Sequence, residues 1–138
     1  MTDPALTLEP VIADDLRHWL IAFPRYPVLA VLDTDGAPSQ SVMWFDLDPD
    51  RPDTLTMNTK FGRAKERFLR RDPRCSLCFE EDMTWIALQG TVELDDDRER
   101  SMRDIRALAV RYGSNPDQFI GQERVTLRMR VERVIRHD

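Results

Sequence analysis

Arg63 and Lys65 are the residues whose type and spacing most directly imply chemistry. They sit in Asn58-Thr59-Lys60-Phe61-Gly62-Arg63-Ala64-Lys65-Glu66-Arg67-Phe68-Leu69-Arg70-Arg71-Asp72-Pro73-Arg74. From Lys60 onward this segment holds seven basic and two acidic residues, a local charge of +5 in a chain of net charge -5. It reads as a strand end, a glycine and a helix start. The first turn of a helix leaves N–H groups free and carries a partial positive charge, so it favours phosphate. Cations placed there are unfavourable unless an anion joins them. Arg63 would offer a bidentate fork and Lys65 a point charge. Arg67, Arg70 and Arg71 fit a solvated basic helix face instead.

The second candidate is Ser39-Gln40-Ser41-Val42-Met43-Trp44-Phe45, which mixes small polar and large apolar residues. A flat heteroaromatic ring lying along such a strand takes backbone hydrogen bonds and stacks on Trp44 or Met43. Ordinary core packing accounts for the same composition. Other chemistries are disfavoured. His18 and His137 stand far apart, and no His/Cys cluster has metal-ligand spacing. Cys75 and Cys78 spell Cys-x-x-Cys within a predicted strand, where residues three apart point to opposite faces. The chain has no Gly-x-Ser-x-Gly elbow, no Gly-x-Gly-x-x-Gly and no phosphate-binding Walker loop.

The elements that must position these residues follow from periodicity. Residues 1–10 read as a loose arm. Asp14 and Asp15 open a short helix with Leu16, Trp19, Leu20 and Phe23 at helical spacing, ended by Pro24 and Pro27. Val28 to Leu32 is a buried strand, and Asp33-Thr34-Asp35-Gly36 turns it into a second strand over 38–47. A third strand spans 54–59, a helix 62–71, a fourth strand 74–80 and a fifth 84–94. The longest helix runs over 95–112, with Met102, Ile105, Leu108, Ala109 and Tyr112 as its apolar stripe and Gly113 after it. The last strand starts at Glu123, with Val125, Leu127, Met129 and Val131 inward and Arg124, Thr126, Arg128 and Arg130 outward. About six strands with three or four helices predict a mainly β, α+β domain. The sheet is mostly antiparallel and curled into a barrel, with helices outside.

At 138 residues the chain is one domain in length, and two cysteines exclude a disulfide-built scaffold. Its apolar runs, such as Trp19 to Phe23, are too short to span a bilayer. The opening Met1-Thr2-Asp3-Pro4 has no signal-like character. A soluble, cytoplasmic protein is expected. Of its 20 basic residues only Lys60 and Lys65 are lysine.

Together these features resemble the pyridoxamine-phosphate-oxidase-like, flavin-binding split β-barrel superfamily, and within it the branch dependent on the deazaflavin coenzyme F420. The resemblance rests on Val28 to Leu32, Asp35-Gly36-x-Pro38 and Val42-Met43-Trp44-Phe45. It rests most strongly on Asn58-Thr59 followed by Gly62-Arg63-Ala64-Lys65 and Leu69 to Arg74. Trp85 to Gly90 and Val92-Glu93-Leu94 match too. It covers about residues 12–136.

The resemblance implies a six-stranded antiparallel split β-barrel with flanking helices, and a homodimer with cofactor sites at the subunit interface. It places Arg63 and Lys65 on the cofactor phosphate, and Asn58 and Thr59 on the phosphate or ribityl chain. Ser41, Val42, Met43 and Trp44 then run beside the ring, and Trp85 approaches from the second subunit. Lys60 and the arginines from Arg67 to Arg71 would meet the acidic tail of F420, which FMN lacks. No counterpart of the C-terminal Trp and Arg of pyridoxamine phosphate oxidases follows, so vitamin B6 oxidation is not expected. The implied activity is hydride transfer between F420, or FMN, and a small conjugated organic substrate. A carrier holding FMN, F420 or haem without turnover is the alternative. A nucleic-acid module is disfavoured by the net charge of -5.

Overall fold

A computed structural model describes residues 10–138. The arm expected over 1–10 falls outside the described residues except for Pro10. The order is α1 (Asp14–Ile21), β1 (Val28–Leu32), β2 (Pro38–Val42), β3 (Asp46–Leu47), β4 (Thr54–Lys60), α2 (Ala64–Arg71), β5 (Arg74–Glu81), β6 (Thr84–Asp95), α3 (Arg98–Arg111), a 3-10 helix (Pro116–Phe119) and β7 (Arg124–His137). The strands form one antiparallel sheet in the order β2-β1-β5-β6-β7-β4-β3.

β2 and β3 are neighbours in sequence yet occupy opposite edges of the sheet. Four residue steps reach at most about 14 Å, so the sheet curls until its edges nearly meet. No ladder joins β2 to β3, and the barrel is split along that seam. The fold is therefore the mainly β, α+β arrangement expected, with seven strands among the described residues rather than six.

The extra strand comes from a break in the predicted 38–47 strand. At Met43-Trp44-Phe45 the ladder stops, and α3 supplies the missing partners. The Phe45 N–H donates to the Tyr112 hydroxyl at 3.1 Å, and Arg111 Nε donates to the Phe45 carbonyl at 3.2 Å. The Tyr112 hydroxyl in turn donates to the Arg25 carbonyl. A tertiary contact thus replaces strand pairing.

Inside the curl lies an apolar core that includes Leu29, Leu77, Leu88, Leu127, Phe45 and Phe79. Strand alternation builds it, since Ile86, Leu88 and Val92 of β6 are buried together with Val125, Leu127, Met129 and Val131 of β7. Gly90 allows the β6–β7 crossing. A Cβ there would stand 1.9 Å from the Arg130 carbonyl oxygen, beside the register shift at Gln89/Gly90.

The outward assignment of the other β7 face needs correction. α3 lies across β4 and β7 on that side, so Thr126 is fully buried rather than solvated. Asp104 accepts from Thr126 Oγ1 at 2.8 Å and from Arg128 at 3.1 Å, and Arg128 also reaches Asp95 at 2.8 Å. α3 also starts later than the expected 95. Asp97 is its N-cap and accepts from the Arg100 N–H, and Asp95 ends β6.

Candidate functional site

Gly62 shapes the turn from β4 into α2. Its φ of +89° suits glycine, and its N–H donates to the Glu66 carboxylate at 2.9 Å. Arg63 is the N-cap, so α2 begins at Ala64 rather than at 62. Arg63 has no side-chain capping bond, and its side chain is exposed. Lys65 follows two residues later and is half-buried.

These two cations border a hollow of about 340 Å³ whose walls come from four regions of the chain. The 42–44 segment supplies Val42, Met43 and Trp44, and the end of β4 supplies Asn58, Thr59 and Lys60. Ile105 and Leu108 of α3 and Phe119 of the 3-10 helix form the apolar side, with the polar Gln118 beside them. A smaller hollow of about 260 Å³ adjoins it, sharing Arg63 and Lys65 and adding Ser39, Gln40 and Ser41. Nine of the ten residues singled out from the sequence are thus brought together across the two hollows. Trp85 is not among them. It lies on the outer face of the sheet, stacked on His137 with ring centroids 5.5 Å apart.

Arg124 completes the group, and sequence reasoning missed it. Alternation placed it on a solvated face, but the first residue of β7 points into the hollow beside Arg63 and Lys65. Its Nε donates to Asn58 Oδ1 at 2.9 Å, a second nitrogen donates to Gln122 at 2.9 Å, and its guanidinium lies 4.9 Å from the Phe119 ring centroid. The β4–β7 register pairs Arg124 with Lys60, a contact that no local signal carries.

The electrostatics are one-sided. Among the described residues no carboxylate pairs with Arg63, Lys65 or Arg124. Burial, and then the neighbouring Arg63 and Arg124 charges, lower the Lys65 pKa below its usual 10.5. Burial and Arg63 bring Arg124 down to about 10. Fixed like charges sharing a half-dry pocket favour an anion. By contrast Arg70 is committed to Glu66 and Asp96, Arg71 donates to the Asp33 carbonyl, and Arg67 donates to the Gly62 carbonyl.

The apolar wall is ordered by aromatic contacts. The Trp44 indole stacks on Tyr112 at 5.2 Å with 12° between planes, and Phe119 meets its edge at 6.2 Å. The pocket therefore joins a wall that carries Trp44 and Phe119 to a cationic end.

Three larger hollows lack this character: an open one of about 540 Å³ beside α3 that includes Arg98 and Met102, and two others. One, about 610 Å³, is walled by residues that include the ion-paired Asp95, Arg100 and Arg128. The other, about 690 Å³, is an open cleft on the sheet that includes Ala30, Ser76 and Gln89. Cys75 and Cys78 are free thiols. Among the described residues no cluster suits a metal ion, and no helix is long and apolar enough to cross a membrane.

Solved structures share the fold. An F420 reductase superposes with a TM-score of 0.73 at 22% identity, covering 86% of this chain and 94% of that one. A conserved hypothetical protein, Rv2991, from Mycobacterium tuberculosis gives 0.77 at 23% identity, covering 94% and 86%. A Clostridium acetobutylicum protein related to general stress protein 26 of B. subtilis, of the pyridoxinephosphate oxidase family, gives 0.68 at 16% identity, covering 87% and 84%. The family model for pyridoxamine 5'-phosphate oxidase matches residues 16–138, nearly all of the chain, and the protein belongs to that family.

Proposed function

We propose that the protein is an oxidoreductase that binds F420, or alternatively FMN, and transfers a hydride between it and a small conjugated organic substrate. The observation that carries this reading is the two-part pocket: an apolar slot beside Met43 and Trp44, ending at uncompensated Arg63, Lys65 and Arg124. That shape and charge suit a planar ring joined by a short chain to a phosphate. The bound cofactor supplies the hydride chemistry, and the protein binds, orients and encloses it. In this reading Arg63 and Lys65 hold the phosphate, Thr59 borders the linking chain, and Ser41, Val42, Met43 and Trp44 flank the ring.

The F420 preference draws on the excess cationic charge, with Lys60 at the pocket rim and available for the acidic tail. FMN is favoured by a different observation. The internal bonds of Arg67, Arg70 and Arg71 reduce the charge left for such a tail.

The proposed assembly is a homodimer through the outer sheet face. Register places Val42, Val28, Cys78, Ala87 and Ile135 in one cross-strand row. Directly paired residues of antiparallel strands face the same side, so this row is an apolar band. Val42, which is 63% exposed, also lines the pocket, so a second copy on this face would wall the cofactor site. Trp85 lies on the same face, consistent with a role at the partner's site.

Fluorescence titration with F420 and with FMN tests the reading, beside an absorption spectrum of the purified protein. Saturable binding of either, weakened by Arg63→Ala and by Lys65→Ala, is expected. Unchanged affinity in both variants would refute the site, and a Soret band would redirect the reading to a haem carrier. Turnover of quinones or enones with reduced cofactor separates an enzyme from a carrier.

A further inference from the structure

The amide of Asn58 is engaged within the protein at both its nitrogen and its oxygen. Its nitrogen donates to the Ser101 carbonyl at 2.9 Å and to Thr126 Oγ1 at 3.2 Å. Its oxygen accepts from Arg124 Nε at 2.9 Å. Ser101 and Thr126 are fully buried, and Thr126 is itself tied to Asp104. The order of these bonds sets the amide's orientation. Two acceptors behind it hold the nitrogen inward, which leaves the oxygen facing Arg124.

We propose that Arg124 is a third ligand of the anion that Arg63 and Lys65 bind, and that Asn58 is the positioning residue that aims it. The chemical class of ligand is a phosphate ester. The proposal deepens the functional reading above and shares its pocket, but it depends only on the anionic half.

Three features support it. Arg124 spends Nε on Asn58 and one terminal nitrogen on Gln122, while the other terminal nitrogen has no protein partner among the described residues. The guanidinium is braced against Phe119, so its plane is held before the ligand arrives. No carboxylate neutralises it, although it is half-buried. An arginine kept for structure alone would be expected to pair with a carboxylate, as Arg70, Arg100 and Arg128 do.

The test compares FMN with riboflavin, which shares the ring and chain and lacks the phosphate, and adds inorganic phosphate as a third probe. Arg124→Gln is expected to weaken FMN binding about 10- to 100-fold, the size of one lost charge-assisted hydrogen bond. Riboflavin binding should be unchanged. Asn58→Asp places a carboxylate against Arg124 and should reduce the FMN-over-riboflavin preference in the same direction. A merely structural role for Asn58 would weaken both ligands equally. Arg124→Lys keeps charge without the fork and should fall between the parent and Arg124→Gln. Circular dichroism confirms folding of each variant, and Arg124→Gln carries the test if Asn58→Asp does not fold.

An FMN-over-riboflavin preference unchanged in Arg124→Gln would overturn the proposal and leave the cofactor reading standing. If the parent binds no flavin or deazaflavin, but phosphate raises its melting temperature and Arg124→Gln abolishes that rise, the proposal stands and the cofactor reading falls. No response of the parent to phosphate, to either flavin or to F420 overturns both.

Discussion

Tyr112→Phe should destabilise the protein even though it removes a single oxygen. The hydroxyl accepts from the Phe45 N–H at 3.1 Å and donates to the Arg25 carbonyl, and Phe45 is fully buried. Phenylalanine leaves the Phe45 N–H without a partner. A buried unsatisfied donor costs about 1–3 kcal/mol. The ring remains, so the stack on Trp44 at 5.2 Å is kept. The expected loss is about 2 kcal/mol, or roughly 6 °C in Tm for a chain of this length.

Tyr112→Leu loses the stack as well and should cost about 1 kcal/mol more. Urea unfolding followed by circular dichroism measures both, with an unchanged slope expected if only the native state is affected. Because Tyr112 anchors the 43–45 segment, the Trp44 emission spectrum should also shift in each variant. A loss below about 0.5 kcal/mol for Tyr112→Phe would refute the argument that this hydroxyl replaces the strand ladder, and equal losses for the two variants would refute the contribution of the stack.

Gly90→Ala drives a Cβ toward the Arg130 carbonyl oxygen, which is backbone and cannot swing aside. A loss of about 3 kcal/mol or more is expected in the same urea assay, and a loss below about 1 would show that the β6–β7 bulge yields easily. The two thiols should differ in alkylation. Burial pushes the Cys75 thiol up to about 12, so it stays unreactive at pH 8, whereas the exposed Cys78 on the proposed dimer face should label faster on dilution. Equal, concentration-independent labelling would contradict both assignments.

Lys65 gives a pH test with a definite sign. Its folded pKa is depressed, so the unfolded chain holds the proton more tightly. The stability penalty of the ammonium is present below the folded value and is relieved as pH rises toward 10.5. Phosphate binding should raise the Lys65 pKa, read by NMR titration of the two lysines, and a shift at Lys60 alone would misplace the anion.

Much of this molecule is legible in its amino-acid order. Alternation along β6 and β7 located the core, because period-two burial is a local property of an extended chain. Gly62-Arg63-Ala64-Lys65 marked the cationic turn, because a glycine at positive φ and cations at a helix start are both local signals. Ser41 to Trp44 stood out by their mixture of small polar and large apolar residues, whereas Asn58 and Thr59 were reached through the family pattern.

Three features were not legible, and each depends on chain segments far apart in sequence. Arg124 reads as one more polar residue on an alternating strand until β7 pairs with β4 and brings it beside Lys60. Thr126 and Arg128 read as solvated until α3 covers that face, which makes a second interior that period-two patterning cannot foresee. The strand expected over 38–47 contains no proline or glycine from Ser39 onward to signal its break. Tyr112 and Arg111, more than sixty residues away, supply the hydrogen bonds that let it leave the ladder. Local periodicity specifies which face of an element is apolar. Which element covers that face, and which distant donor satisfies a buried backbone group, follows only from how the chain packs.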